Sequence, residues 1–167
     1  MRGHTQVARI ITGLFLFGSL VFPFSANVYA EVSIVNMNFA SGTFTYNPRT
    51  LKWTAVSSSG KLVRTGHGSS GRAYCPDIHR SCRTPSGTYH VIGKRGADCK
   101  SSRYPVGRGG APMPYCMYFS KLYAVHGSYD VPNYNASHGC IRVPPSDAQW
   151  LYNNFMSLGT KVVVKPY

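Results

Sequence analysis

Acidic residues are scarce in this chain. Of its 167 residues only 5 are Asp or Glu, against 18 Lys or Arg, so the formal net charge is +13. Such an imbalance favours an anionic partner. The basic residues are spread without a long run, and the sequence lacks zinc-finger spacing, an RNA-binding aromatic signature and a basic heptad array. We therefore expect no nucleic-acid ligand, and charge indicates only a class of partner.

One long apolar run occurs, over residues 10–24. Arg2 and Arg9 precede it, and the small-residue stretch that ends at Ala30 follows it. This order is typical of a secretory signal peptide. The alternative is an uncleaved membrane anchor, but the run is short for a span of ~20 residues and glycine and proline interrupt it. No cysteine stands at the cleavage point after the run, which disfavours a lipid anchor. We expect residues 1–30 to be a signal peptide and residues 31–167 to form one exported domain with no stable membrane span.

The chain contains few cysteines, and their number, 5, is odd. In an oxidising compartment cysteines tend to pair, so one thiol is left over. Cys75, Cys82, Cys99 and Cys116 lie in a loop-rich middle section, whereas Cys140 lies inside a Ser-His-Gly-Cys stretch and is the natural free thiol. Four cysteines allow three pairings. We prefer Cys75 with Cys82 and Cys99 with Cys116, because each pair closes a local loop.

A zinc site is the alternative use of the first two cysteines. Cys75, His79 and Cys82, with His67 or His90 nearby, offer zinc ligands. Disulfides are favoured for an exported chain, because thiols outside the cytosol usually oxidise. We therefore expect no metal.

Helical periodicity is rare, and the chain is expected to be mostly β. Short segments rich in Thr, Val, Tyr and Phe, separated by Gly, Pro and Ser clusters, predict strands at residues 42–46, 51–56, 62–64, 88–92, 115–119, 122–125 and 161–164. One helix is predicted, with Ser146 as its cap, Gln149 in capping-box position and Gly159 as its stop. Its apolar stripe comprises Ala148, Leu151, Phe155 and Leu158. Residues 66–83 and 93–114 are predicted to be long loops held by the cysteines.

Two short motifs carry the chemistry. His126-Gly127-Ser128 is followed, after an interval, by Ser137-His138-Gly139-Cys140-Ile141-Arg142. A thiol is a useful nucleophile only as thiolate, and a neighbouring histidine can supply the base. Glycine next to the cysteine allows close approach of a substrate carbonyl, and consecutive amides there could stabilise an oxyanion. The alternative is a structural role, in which the cysteine is buried and the two histidines lie at the surface with their hydrogen bonds satisfied.

The two motifs resemble the signature of the L,D-transpeptidase catalytic domain, also called the YkuD domain. Other stretches are similar to the family's turn, strands and helix: Thr84-Pro85-Ser86-Gly87-Thr88-Tyr89, Met113 to Phe119, Ser146 to Tyr152 and Gly159 to Val162. Together they cover about half of the chain. The resemblance implies a single β-sandwich-like catalytic domain, with one helix near the C-terminus, that acts on peptidoglycan stem peptides in the periplasm or cell-wall compartment. The cysteines add long disulfide-stabilised loops to this expected domain.

The resemblance also implies a reaction. The motif cysteine, Cys140 here, would attack the bond between the third and fourth residues of a tetrapeptide stem, form a thioester and release D-alanine. A neighbouring amine would then take the acyl group and give a 3→3 cross-link. His126 would be the base, with the carbonyl of Gly127 or Ser128 orienting it. No cofactor is implied, and carbapenems are expected to acylate the cysteine.

The remaining motif residues receive supporting roles from the same resemblance. His138 and Gly139 would lie at the oxyanion site, Ser137 would support the substrate-binding loop, and Arg142 would bind a substrate carboxylate. The interval between His126 and Cys140 is short for the family. Its Tyr129, Pro132 and Tyr134 would therefore shape a different acceptor groove, and the four other cysteines are additions to the general pattern.

Two further functions remain open at this point. With water as acceptor the same site is an L,D-carboxypeptidase or another cell-wall amide hydrolase. In the third interpretation the basic, disulfide-bonded loops form a non-catalytic module that binds the wall. The oligomeric state is not predicted.

Overall fold

Two β-sheets, one α-helix, a short 3₁₀ helix (Pro76–Ile78) and connecting loops form the described part of the chain, which is residues 42–167 of a computed structural model. In chain order the elements are β1 (Thr43–Asn47), β2 (Lys52–Val56), β3 (Leu62–His67), β4 (Gly87–His90), β5 (Gly93–Arg95), β6 (Cys116–Tyr118), β7 (Ala124–Gly127), β8 (Ile141–Val143), α1 (Pro145–Asn154) and β9 (Lys161–Val164). The predicted signal peptide and residues 31–41 lie outside the described residues.

The larger sheet has five strands in the order β3-β2-β1-β9-β4, and the smaller has four in the order β5-β6-β7-β8. Neighbouring strands are antiparallel except for β1 with β9 and β7 with β8, which are parallel. A parallel pair needs a crossover connection, and here the crossover from β7 to β8 is the segment that joins the two sequence motifs. The motifs therefore meet at adjacent strands.

The core lies between the two sheets and α1. Its largest cluster of buried residues takes members from β1, β2, β6, β7, β8, β9 and the helix. On β1 the burial alternates, so that Phe44 and Tyr46 point inward, and Trp53 of β2 stacks on Phe44 at 5.9 Å between ring centroids. Burying one such aromatic contributes roughly 1.5–3 kcal/mol. The mostly β, sandwich-like fold expected from the sequence is confirmed.

The predicted strand at residues 122–125 is displaced by two residues in the structure, where β7 covers Ala124–Gly127. The Ser120 hydroxyl accepts hydrogen bonds from the N–H groups of Leu122 and Tyr123, which makes a turn there. Leu122 is consequently exposed. His126 therefore lies inside the buried strand and not just beyond its end.

The helix occurs in the predicted region, but its first and last residues differ from those predicted. It begins at Pro145, whose fixed φ suits the first helical position, and no side chain caps it, so the Ser146 cap is wrong. It ends at Asn154, because Phe155 leaves the helical conformation with φ −133°. Gly159 is therefore not its stop. Ala148, Leu151 and Phe155 are buried as expected, but Leu158 lies beyond the helix and is 67% exposed.

The two predicted loops are partly strand. β3 continues to His67 because Gly66 and His67 pair with β2, and Gly93–Arg95 form β5 against β6. Both disulfides predicted are confirmed: Cys75–Cys82 and Cys99–Cys116, with Cys140 left free. The two disulfides close the loops at residues 75–82 and 99–116, called here loop A and loop B.

No helix within residues 42–167 is long and apolar enough to cross a membrane.

Candidate active site

Strands β7 and β8 bring the two motifs together. Val125 pairs with Ile141 and His126 with Arg142 in the parallel register, so Cys140, one residue before β8, lies beside β7. A cavity of about 300 Å³ opens at this place. Motif residues lining it are His126, Ser128, Ser137, His138, Cys140 and Arg142, and loop B supplies much of the remaining wall.

The His126 ring has a defined tautomer. It is 5% exposed, and its Nδ1 lies 2.8 Å from the carbonyl oxygen of Gly127. A carbonyl can only accept, so Nδ1 carries the proton and Nε2 holds the free lone pair. Of the two carbonyls predicted to orient this ring, that of Gly127 is the partner. The Gly127 N–H itself donates to Pro114 O at 2.8 Å.

Desolvation keeps both His126 and the partly buried Cys140 thiol neutral. Desolvation lowers the pKa of His126 to about 4, with the Arg142 charge adding to the effect and the Gly127 carbonyl opposing it. Desolvation likewise raises the pKa of the Cys140 thiol, although a backbone hydrogen bond at Ala124 and the Arg142 charge act in the other direction. At neutral pH the site therefore holds a thiol and a neutral imidazole that can accept a proton.

The Ser137 side chain braces the turn that carries the thiol. Its hydroxyl donates to Cys140 O at 2.6 Å and accepts from Gly139 N–H at 2.9 Å. Ser137 is 2% exposed, so both hydrogen bonds are made away from solvent. The Gly139 amide, expected at the oxyanion site, is therefore engaged inside the turn.

Glycine is required at position 139. Its φ is +131°, a conformation that L side chains rarely adopt. A Cβ there would lie 2.4 Å from the Tyr123 ring. Its carbonyl accepts a hydrogen bond from the buried Thr84 hydroxyl at 2.6 Å. Thr84 thus holds the motif backbone by a hydrogen bond, and the Tyr123 ring leaves no room for a side chain at position 139.

Arg142 is paired with an acid of the intervening segment. Its Nη1 lies 2.6 Å from Asp130 Oδ2, and Asp130 is held in a turn by hydrogen bonds to the Ser128 hydroxyl. The Asp130 side chain is 74% exposed. The guanidinium predicted to bind a substrate carboxylate therefore already holds a carboxylate of the chain.

His138 is held by both disulfide loops. Its Nε2 lies 2.8 Å from Asp77 Oδ2 in loop A, and its ring stacks on Tyr104 of loop B at 4.3 Å between centroids. Neither contact was predicted from the sequence. The signal that could have found Asp77 and Asp130 is the scarcity of acids, since only four carboxylate side chains occur in residues 42–167.

The alternative zinc site is wrong. Cys75 and Cys82 are joined in a disulfide. Within the described residues, the group of metal-ligating atoms that approach one another is Cys75, Asp77 and His138, and it contains neither His79 nor the other two histidines considered. A disulfide sulfur is not a thiolate, which is the form that binds zinc.

These features define a class: a two-sheet β domain whose cavity contains one free thiol, a buried neutral imidazole and an arginine. The family model of the L,D-transpeptidase catalytic domain matches residues 43–164. The chain belongs to this family, as its motifs indicated.

Solved structures agree with this assignment. An L,D-transpeptidase from Xylanimonas cellulosilytica is 30% identical with a TM-score of 0.64, over 75% of this chain and 60% of that one. L,D-transpeptidase 3 from Mycobacterium tuberculosis, in complex with a faropenem-derived adduct, is 22% identical with a TM-score of 0.60 over the same shares. The chain thus spans about 60% of the length of these structures. No curated protein matches it.

Proposed function

We propose that the chain is a peptidoglycan L,D-transpeptidase that forms 3→3 cross-links through a thioester on Cys140. The observation that carries the proposal is the shared cavity of Cys140 and His126, in which the imidazole has a free Nε2 lone pair. A neutral base beside a neutral thiol is suited to moving a proton as the sulfur attacks. Membership of the family supports peptidoglycan stem peptides as the substrate.

In the first half-reaction, His126 Nε2 takes the proton of the Cys140 thiol while the sulfur attacks the carbonyl of the third stem residue. The carbon–nitrogen bond to D-alanine breaks, and the imidazolium returns the proton to the leaving amine. In the second half-reaction the amine of another stem attacks the thioester and His126 takes a proton from that amine. The carbon–sulfur bond then breaks, and the imidazolium returns the proton to the sulfur to regenerate the thiol.

The oxyanion of each tetrahedral intermediate needs backbone donors. Because the Gly139 N–H donates to Ser137, we assign this role to the amides of His138 and Cys140 in the same turn. Ser137 and Thr84 position that turn through hydrogen bonds to Cys140 O and Gly139 O. The proposed role of Ser137 is therefore to support the loop.

Arg142 is proposed to bind a carboxylate of the donor stem. The guanidinium lines the cavity and is suited to two-point recognition of a carboxylate. In the free protein Asp130 occupies it, so a substrate carboxylate would displace a side chain that is already 74% exposed.

Export to the periplasm or cell wall is part of the proposal. Two disulfides are expected in an oxidising compartment, and residues 31–167, with 16 Lys or Arg against 5 Asp or Glu, carry a formal charge of +11 that suits a polymer with carboxylates. Both features fit an enzyme that works on the wall.

The proposal is tested by incubating the purified protein with tetrapeptide muropeptides, with and without an amine acceptor, and identifying products by mass spectrometry. The expected products are D-alanine and 3→3 cross-linked dimers, lost entirely in Cys140→Ala. Ser58→Ala, in an exposed turn, is the matched control and should retain activity. Tripeptide without dimers would identify an L,D-carboxypeptidase, and no product at all would contradict both enzymatic functions.

A drug adduct gives a second measurement. One structural neighbour carries a faropenem-derived adduct and another is in complex with imipenem. After incubation with imipenem, we expect intact mass spectrometry to show one drug adduct on this protein and none on Cys140→Ala. Absence of the adduct would support the non-catalytic wall-binding alternative.

A further inference from the structure

His138 lies in a turn that provides no regular secondary structure to hold its side chain. Its ring nevertheless lines the cavity beside Cys140. Two contacts hold the ring, and they come from two separate loops. The residues that make these contacts are far from His138 in the sequence, and the fold brings both of them to its ring.

The first contact determines the tautomer. Asp77 Oδ2 lies 2.8 Å from His138 Nε2, and this hydrogen bond is the main cause that lowers the pKa of the Asp77 carboxyl. A carboxylate can only accept, so Nε2 carries the proton. Nδ1 is then the ring nitrogen left for a bound stem peptide.

The second contact determines the plane of the ring. Tyr104 stacks on the imidazole with 4.3 Å between centroids and 29° between planes. Tyr104 lines the same cavity. Rotation of the His138 ring about its Cβ–Cγ bond would therefore break the stack and the hydrogen bond together.

Both supporting residues lie in loops closed by disulfides. Asp77 is in the short helix Pro76–Ile78 of loop A, and Tyr104 is in loop B. Closing a loop covalently reduces the entropy lost when its residues are ordered. The four cysteines that the general family pattern lacks thus support two contacts to one motif residue.

We infer that Asp77 and Tyr104 are positioning residues for the acyl-transfer reaction, acting through His138. They hold its imidazole in the Nε2–H tautomer and in one plane at the cavity wall. The reaction itself rests on the proposed function, whereas the orientation of His138 does not.

The test compares Asp77→Ala with Asp98→Ala, an exposed aspartate beside Cys99 that serves as the matched control. Nitrogen-15 NMR of the imidazoles should show His138 as the Nε2–H tautomer in the unmodified protein and in Asp98→Ala, and as a mixture in Asp77→Ala. Because misplacement of a group in the site costs rate, kcat for muropeptides should fall about tenfold in Asp77→Ala and remain unchanged in Asp98→Ala. Melting temperatures identify any variant that has lost its fold.

Tyr104→Leu provides a second variant, with Tyr74→Leu as its exposed control next to Cys75. Tyr104→Leu should also lower kcat, and Tyr74→Leu should leave kcat unchanged. An unchanged His138 tautomer in Asp77→Ala would overturn the inference, as would an altered tautomer with unchanged kcat. If the unmodified protein leaves every muropeptide unprocessed, the proposed function fails, and the NMR comparison alone decides whether Asp77 orients His138.

Discussion

His126 and His138 line the same cavity but are held in opposite ways. His126 is a residue of the buried strand β7, and its ring is oriented by the carbonyl of the next residue in the chain. His138 lies in a turn, and its ring is oriented by the side chain of Asp77, 61 residues earlier in the chain, and by that of Tyr104 in loop B. The comparison shows that a strand positions a side chain through local backbone geometry, whereas a turn needs long-range contacts.

Removing the strand-borne histidine should have the largest effect. His126→Gln keeps much of the side-chain volume but supplies no base, so kcat for muropeptides should fall by about 10³. His90→Gln, at an exposed histidine on β4, is the control and should leave kcat unchanged. Steady-state kinetics measure both. A loss no larger than that of Asp77→Ala would contradict the distinction between the two histidines.

Acid stability sharpens the same comparison. Burial lowers the pKa of His126 to about 4, below the ordinary histidine pKa of 6.5, so between these values the unfolded chain binds a proton that the folded protein does not. The contribution to stability is complete above pH 6.5 and is lost as the pH falls toward 4, on the order of 3 kcal/mol in all. Melting temperatures across this range should fall in the unmodified protein.

His126→Gln is expected to flatten that dependence between pH 6.5 and 4, whereas His90→Gln should not. The Asp77 carboxyl, whose pKa is lowered from 3.8, loses its own contribution only at lower pH and does not overlap this window. Parallel melting curves for His126→Gln and the unmodified protein would contradict the assignment of a buried neutral imidazole.

The smallest expected effect concerns the exposed pair beside the turn. Asp130→Asn frees Arg142 for a substrate carboxylate, and because an exposed ion pair contributes at most about 1 kcal/mol, KM for the donor should fall by about fivefold or less. Asp98→Asn removes the same charge elsewhere and is the control. A KM that rises in Asp130→Asn but not in Asp98→Asn would contradict competition between Asp130 and the donor carboxylate for Arg142.

The sequence predicted the strand-borne part of the site better than the loop-borne part. Segments rich in β-forming residues between Gly, Pro and Ser clusters marked most strands, and local spacing favoured the two disulfides over the other pairings. Strand β8 was missed because three residues give too little periodicity, and they become a strand only by pairing with β7. The position of His126 within β7 was missed because the Ser120 turn moves the start of the strand.

The sequence by itself determined the family, the free thiol at Cys140 and the chemical groups of the site, because these depend on residue types at short spacings. The tertiary structure decided which carboxylates meet those groups. Asp77 meets His138 and Asp130 meets Arg142. An ion pair forms only where the fold brings two charged side chains together. Because residues 42–167 contain only four carboxylate side chains, each ion pair leaves few carboxylates elsewhere in this part of the chain.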